Sequence, residues 1–95
     1  MRGVNNKIFK LIKALELKGH IYLYNKEQVY SNKANKVFTL NKLFNVIPVD
    51  KYNKLYPNRK KDAKKYKFVK VEVLSTFRTY EILLKLVEIY SEVNK

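Results

Sequence analysis

Residues 20–44 run HIYLYNKEQVYSNKANKVFTLNKLF, and whether this stretch is extended or helical decides the fold. Ile21-Tyr22-Leu23-Tyr24 is a β-branched and aromatic run, short enough for a strand. Val37-Phe38-Thr39-Leu40 is a second extended segment that can reach Phe44. Between them, Ser31-Asn32-Lys33-Ala34-Asn35 has the Ser and Asn content of a turn. The stretch therefore predicts a β-hairpin over about residues 20–45.

On its N-terminal side, residues 5–18 predict an amphipathic helix. Ile8, Leu11, Ile12 and Leu15 recur at helical spacing among Lys7, Lys10, Lys13 and Lys18. Asn5 or Asn6 can cap its start, and Gly19 stands where a helix stop belongs. On the other side, residues 46–66 would be a long connection, so a short helical turn is expected within it. Asp50 can cap that turn, Tyr52, Leu55 and Tyr56 share a face, and Pro57 ends it. Residues 58–65 then read as a polar, mobile loop. Lys67 to Leu74 alternates as a strand, with Val69, Val71 and Val73 on one face and Lys70 and Glu72 on the other. Ser75 or Thr76 caps a closing helix with Tyr80, Leu83, Leu86, Val87 and Tyr90 on one side. Ile82, Ile89 and Val93 widen that apolar face, which suggests contact with a second subunit as well as the sheet. The expected fold is α+β, a single domain over residues 1–95: an N-terminal helix, a small antiparallel sheet with a hairpin, and a C-terminal helix.

The chain of 95 residues carries a net charge of +13, from 21 Lys and Arg against 8 Asp and Glu. Such an excess repels itself in the compact state and points to a polyanionic partner. Lys, Asn, Ile, Tyr and Phe are all abundant, as an AT-rich codon bias produces, but that bias does not explain why glutamate fails to keep pace. The charge is also concentrated. Residues 51–70 hold nine basic side chains (Lys51, Lys54, Arg59, Lys60, Lys61, Lys64, Lys65, Lys67 and Lys70) and one acid, Asp62. Residues 76–95 are neutral overall. A solvated, functionless loop is the commoner fate of a charge run, whereas a footprint on a phosphate backbone needs this concentration. Lysine outnumbers arginine 18 to 3, which favours phosphate contacts over bidentate base reading. Tyr52, Tyr56 and Tyr66 flank the basic segment and either pack the domain or stack on exposed bases.

Several chemistries lack their residues. The chain has no cysteine, which excludes disulfides and thiol catalysis and is compatible with a cytoplasmic location. His20 is the single histidine, so neither a multi-histidine metal site nor the histidine cluster of relaxase-type enzymes can be built. Arg2, Arg59 and Arg78 are too few for a tyrosine recombinase. Gly3 and Gly19 are the only glycines, which rules out a phosphate-binding glycine loop. Glu81 and Glu88, seven residues apart on the solvent side of the closing helix, form no two-metal cluster. The expectation is a non-enzymatic protein without cofactor or metal. No signal peptide is expected, because lysines interrupt the N-terminal apolar residues, and no run approaches the ~20 apolar residues of a membrane span.

Tyr24-Asn25-Lys26-Glu27-Gln28-Val29-Tyr30-Ser31 and Val71-Glu72-Val73-Leu74-Ser75-Thr76-Phe77 resemble segments of short basic proteins from conjugative plasmids and phages of low-GC Gram-positive bacteria. Some of these act as accessory factors at the transfer origin, and one type is similar to a dimeric winged helix-turn-helix. The resemblance implies DNA binding in plasmid transfer or another mobile-element process, alongside other proteins of the element, and supplies no catalytic residues. It also raises an alternative fold. Residues 5–18 and 20–24 are kept, Asn25 caps a helix to about Ala34 with Gln28 in a capping box, and Thr39 caps a recognition helix to Ile47, stopped by Pro48. The basic segment and residues 67–74 then form the wing. The extended character of Val37 to Leu40 ranks the hairpin first.

The expected function is binding of double-stranded DNA by a homodimer joined through the C-terminal helix. Arg59, Lys60, Lys61, Lys64 and Lys65 are expected to contact phosphates, with Lys67 and Lys70 extending the patch and Lys33 and Lys36 at the hairpin tip as a second site. The alternative is a phage- or plasmid-encoded inhibitor that sets the same patch against an acidic host protein. Single-stranded DNA or RNA is a third option, and membrane-surface binding is not expected.

Overall fold

The computed structural model describes residues 2–95. The chain runs through α1 (Arg2–Leu17), β1 (Ile21–Ser31), β2 (Lys36–Pro48), α2 (Val49–Leu55), a single 3-10 turn (Pro57–Arg59), β3 (Phe68–Thr76) and α3 (Thr79–Val93). The strands form one antiparallel sheet in the order β1-β2-β3, and α1 and α3 pack against each other on one of its faces. This is the α+β arrangement expected from the hairpin reading. The helix-turn-helix alternative is not adopted, because the residues it needs as helices lie in β1 and β2, paired without interruption from Ile21↔Val46 to Ser31↔Lys36. The helices at both ends of the chain need a broad apolar floor, and only the paired hairpin supplies one.

The core forms where the helix stripes meet the middle strand. Ile8 and Leu15 of α1, Leu43 of β2, and Ile82, Leu83 and Leu86 of α3 are buried in one cluster. Tyr22, Tyr24, Val73 and Leu74 pack around it from the sheet. Val73 and Leu74 both reach the helices because the β2–β3 register shifts between Leu43 and Phe44, a bulge that turns two successive side chains the same way. Asn41 is the one fully buried polar residue of this core. Its Oδ1 accepts from the Tyr24 hydroxyl at 2.5 Å, and its Nδ2 donates to the Thr76 carbonyl at 3.1 Å. Thr76 in turn donates to Glu81 Oε2 at 2.6 Å. One polar chain thus ties all three strands to the first turn of α3, and Glu81 serves it rather than facing solvent alone.

Other boundaries move for identifiable reasons. α1 begins before Asn5 and Asn6, which are therefore interior residues and not caps; Val4 extends the stripe one turn back and packs on the core. Gly19 ends α1 as expected, with φ at +88° and the amide of His20 donating to the carbonyl of Leu15. The hairpin strands are longer than their apolar runs, since the polar Asn25 to Gln28 stay paired and Glu27 meets Lys42 at 2.9 Å. The turn closes at Asn35, in the left-handed region at φ +51°. β3 extends to Thr76, so neither Ser75 nor Thr76 is the N-cap of α3, although Thr76 Oγ1 accepts from the Arg78 amide at 3.1 Å. Asp50 makes no cap for α2, which starts directly from Pro48. Of the expected face of α2 only Tyr52 is buried, with Val49 and Ile47, while Leu55 and Tyr56 are exposed.

Leu43→Ala should lower the unfolding free energy by about 3 kcal/mol in urea titration, against less than about 0.5 kcal/mol for the exposed Leu17→Ala. Burial raises the Tyr24 phenol above its ordinary value of 10.0, a shift opposed by a hydrogen bond from Thr79. Its contribution to stability is therefore complete at neutral pH and is lost as pH climbs past about 10 through the raised folded value. Tyr24→Phe should flatten the alkaline loss in denaturation measured from pH 8 to 11; Tyr22, raised by burial as well, retains the remainder.

Candidate nucleic-acid interface

The basic segment connects the end of β2 to the start of β3, and its ends are pinned together. The Val49 amide donates to the Lys67 carbonyl at 3.0 Å, so the excursion leaves and re-enters the sheet at one point. Inside it, Asn53 makes a reciprocal pair with the backbone of Lys61. Its Nδ2 donates to the carbonyl at 3.1 Å and its Oδ1 accepts from the amide at 2.8 Å. Asp62 then organises the next turn: Oδ1 accepts from the Lys64 amide at 2.9 Å, and its carbonyl accepts from the amides of Lys65 and Tyr66. Residues 58–66 therefore carry a hydrogen-bonded turn tied to α2 through Asn53, a shape the composition does not show. The one acid of the segment is committed to shaping it.

The cations have no such commitment. All nine basic residues between Lys51 and Lys70 are exposed. Among the described residues the ion pairs are Glu27–Lys42, Lys85–Glu88 and Glu92–Lys95, and none involves this segment. Two of its lysines stand over aromatic rings, Lys65 at 5.6 Å from the centre of Tyr66 and Lys70 at 5.1 Å from that of Phe44. Tyr52 is buried and packs its ring 4.9 Å from that of Tyr56, so it serves the fold, whereas Tyr66 is open to solvent.

The structure brings Arg59, Lys60, Lys61, Lys64, Lys65, Lys67 and Lys70 together at one end of the sheet. Lys33 and Lys36 do not join them. They flank the hairpin turn at the opposite end, one length of the 11-residue β1 away, or about 33 Å at strand rise. Sequence reasoning also passed over two surfaces. Lys7, Lys10 and Lys13 are exposed along α1 and extend the positive field beyond the segment. The second is the helix-free face of the sheet, which carries Leu23, Phe38, Phe44 and Phe68; its signal was the apolar side chains at both parities of β2. On α3, Leu83 and Leu86 are buried as expected, but Tyr80 and Val87 turn outward with Leu84, each about half exposed.

Among the described residues no cluster of three or more His, Asp or Glu could hold a metal ion, and no helix is long and apolar enough to cross a membrane. Comparison with protein-family models, curated proteins and solved structures found no match to the chain.

Asn53→Ala should accelerate hydrogen exchange at the Lys61 amide severalfold while leaving the amides of Leu43 and Phe44 unchanged, which isolates the Asn53 clamp from the stability of the sheet.

Proposed function

We propose that this protein binds double-stranded DNA without catalysing a reaction on it, gripping phosphates through the β2–β3 connection. The observation that carries this reading is the set of nine exposed cations without ion-pair partners, spread over α2, the turn and the start of β3, with the one acid among them spent on backbone hydrogen bonds. Cations fixed in position and left unneutralised release condensed counterions when they meet a polyanion, and this release drives non-specific DNA affinity. Lysine dominance fits contact with the backbone more than reading of base edges. The tip lysines Lys33 and Lys36 lie about 33 Å from the segment, close to the ~34 Å turn of B-DNA, so one duplex along the hairpin can meet both patches.

The exposed stripe Tyr80, Leu84 and Val87, spaced i, i+4 and i+7 on α3, supports a homodimer formed through the C-terminal helix. Two copies on one duplex would double the number of phosphates engaged. The resemblance of residues 24–31 and 71–77 to proteins of conjugative plasmids and phages supports a role as an accessory factor in plasmid transfer or another mobile-element process.

Fluorescence anisotropy with a labelled random-sequence duplex tests the reading. Micromolar or tighter binding is expected, with log affinity falling against log salt at a slope of about −5 if six cations meet phosphates. Replacing Lys60, Lys61, Lys64 and Lys65 together with alanine should reduce the slope by three or more and weaken binding at least a hundredfold at low salt. No duplex binding at low salt would reassign the patch to an acidic protein surface.

A further inference from the structure

Four of the five phenylalanines lie on the face of the sheet opposite the helices. Phe38 and Phe44 share strand parity with Lys42, one step out of phase with the buried Asn41 and Leu43. Phe68 falls on the same side through its pairing with Pro48, and Phe77 follows β3 with its ring 6.2 Å from that of Phe38, nearly edge-on. The sheet tyrosines Tyr22 and Tyr24 go the other way, to the helix side. The division has a chemical basis. A phenol under a helix must find a partner for its hydroxyl, as Tyr24 finds Asn41, whereas a phenyl ring on an open face offers only its π surface. Phe38, Phe68 and Phe77 are exposed, with Phe68 and Phe77 near three-fifths.

The open face is continuous with the basic segment. Lys61, Tyr66, Phe68, Val69 and Lys70 line one shallow depression, and Val29, Ser31, Phe38 and Phe77 line another nearer the hairpin tip. From Phe38 to Phe44 is about 20 Å along the middle strand at six residues of strand rise. Lys70, which pairs with Val46, stands over the Phe44 ring at the basic-segment end of this span.

We propose that this face is a stacking platform for unpaired nucleotides. Bases would stack on Phe38, Phe77 and Phe68, and the strand's phosphates would meet Lys61 and Lys70, which stands over Phe44. This deepens, and rests on, the nucleic-acid reading above: the basic segment grips a backbone, and the open face takes bases that are not paired. Aromatic faces flanked by cations bind single strands with little sequence preference, because every base has a π surface. Charge selects this occupant over a second copy of the chain. Self-pairing of the face would set each basic segment, Lys70 included, against another positive chain, with only Glu72 and the already paired Glu27 to answer it.

The chain contains no tryptophan, so Phe77→Trp places a single emission reporter on the platform. Its fluorescence should be quenched by oligo-dT, and unchanged emission at saturating oligo-dT overturns the proposal. Phe38→Ser with Phe77→Ser, checked for folding by circular dichroism, should weaken oligo-dT binding by roughly tenfold or more and leave duplex affinity within about twofold. If that variant binds oligo-dT as the parent does, the platform is wrong while the duplex reading stands. If the parent binds neither duplex nor single strand, the nucleic-acid reading itself falls. A shift from dimer to monomer on sedimentation of the double-serine variant would make the face a self-interface and overturn the proposal by another route.

Discussion

Leu43 is fully buried at the centre of the middle strand, in one cluster with Ile8 and Leu15 from α1 and Ile82 and Leu86 from α3. Both helices cover it, and among the described residues no third long helix lies on the other side of the sheet. The direction of every other side chain in β2 follows. Residues in phase with Leu43 lie on the helix side, where Asn41 and Ile47 are buried although Val37 near the tip is exposed, and residues out of phase face away from both helices. The described residues thus form two layers, with the helices on one face of the sheet and none on the other.

The polar chain through Asn41 makes that arrangement specific. A two-residue slip of β2 against β1 would bring Asn41 or Asn45 opposite Tyr24 in the place of Leu43, so apolar packing already opposes it. It would also break the hydrogen bonds of Asn41 with Tyr24 and Thr76 and leave buried polar atoms unpaired, at about 1–3 kcal/mol for each group. Because Thr76 also reaches Glu81, the same register sets where β3 ends and α3 begins. The bulge at Val73 then allows β3 to give two consecutive side chains to the core without disturbing the pairing on either side.

These relations explain which parts were legible in the sequence. α1, β3 and α3 show a single period over eight or more residues, and each was placed to within a few positions. The hairpin was recognisable from its aromatic runs and its Asn-rich turn, but not its extent, because Asn25 to Gln28 join the ladder through backbone pairing that leaves no apolar mark. The helix-turn-helix alternative came from the resemblance to plasmid proteins, and the apolar residues at both parities of β2 do not by themselves distinguish a strand open on one side from a helix segment. The basic segment was legible as composition. Its shape was not, since the Asn53–Lys61 clamp joins residues eight apart that no local rule pairs. The phenylalanine face was only half legible for a related reason: apolar side chains at both parities of β2 mark two sides, but alternation does not tell which side the helices choose.

Charge and the open face are therefore linked properties of one design. Exposed phenylalanines on a sheet face invite association, and a three-stranded sheet with a long edge strand such as β1 offers little to prevent it. A net charge of +13 opposes that association at ranges up to the Debye length, about 8 Å at physiological ionic strength. On the proposed reading the cations act in two ways, keeping copies of the chain apart through the Phe38–Phe68 face while attracting a polyanion to the surface beside it. A neutral chain with this sheet would aggregate, and an equally basic chain with a polar sheet would hold a backbone but have nothing to offer its bases. Both features together favour a partner that carries negative charge and flat aromatic surface in the same strand.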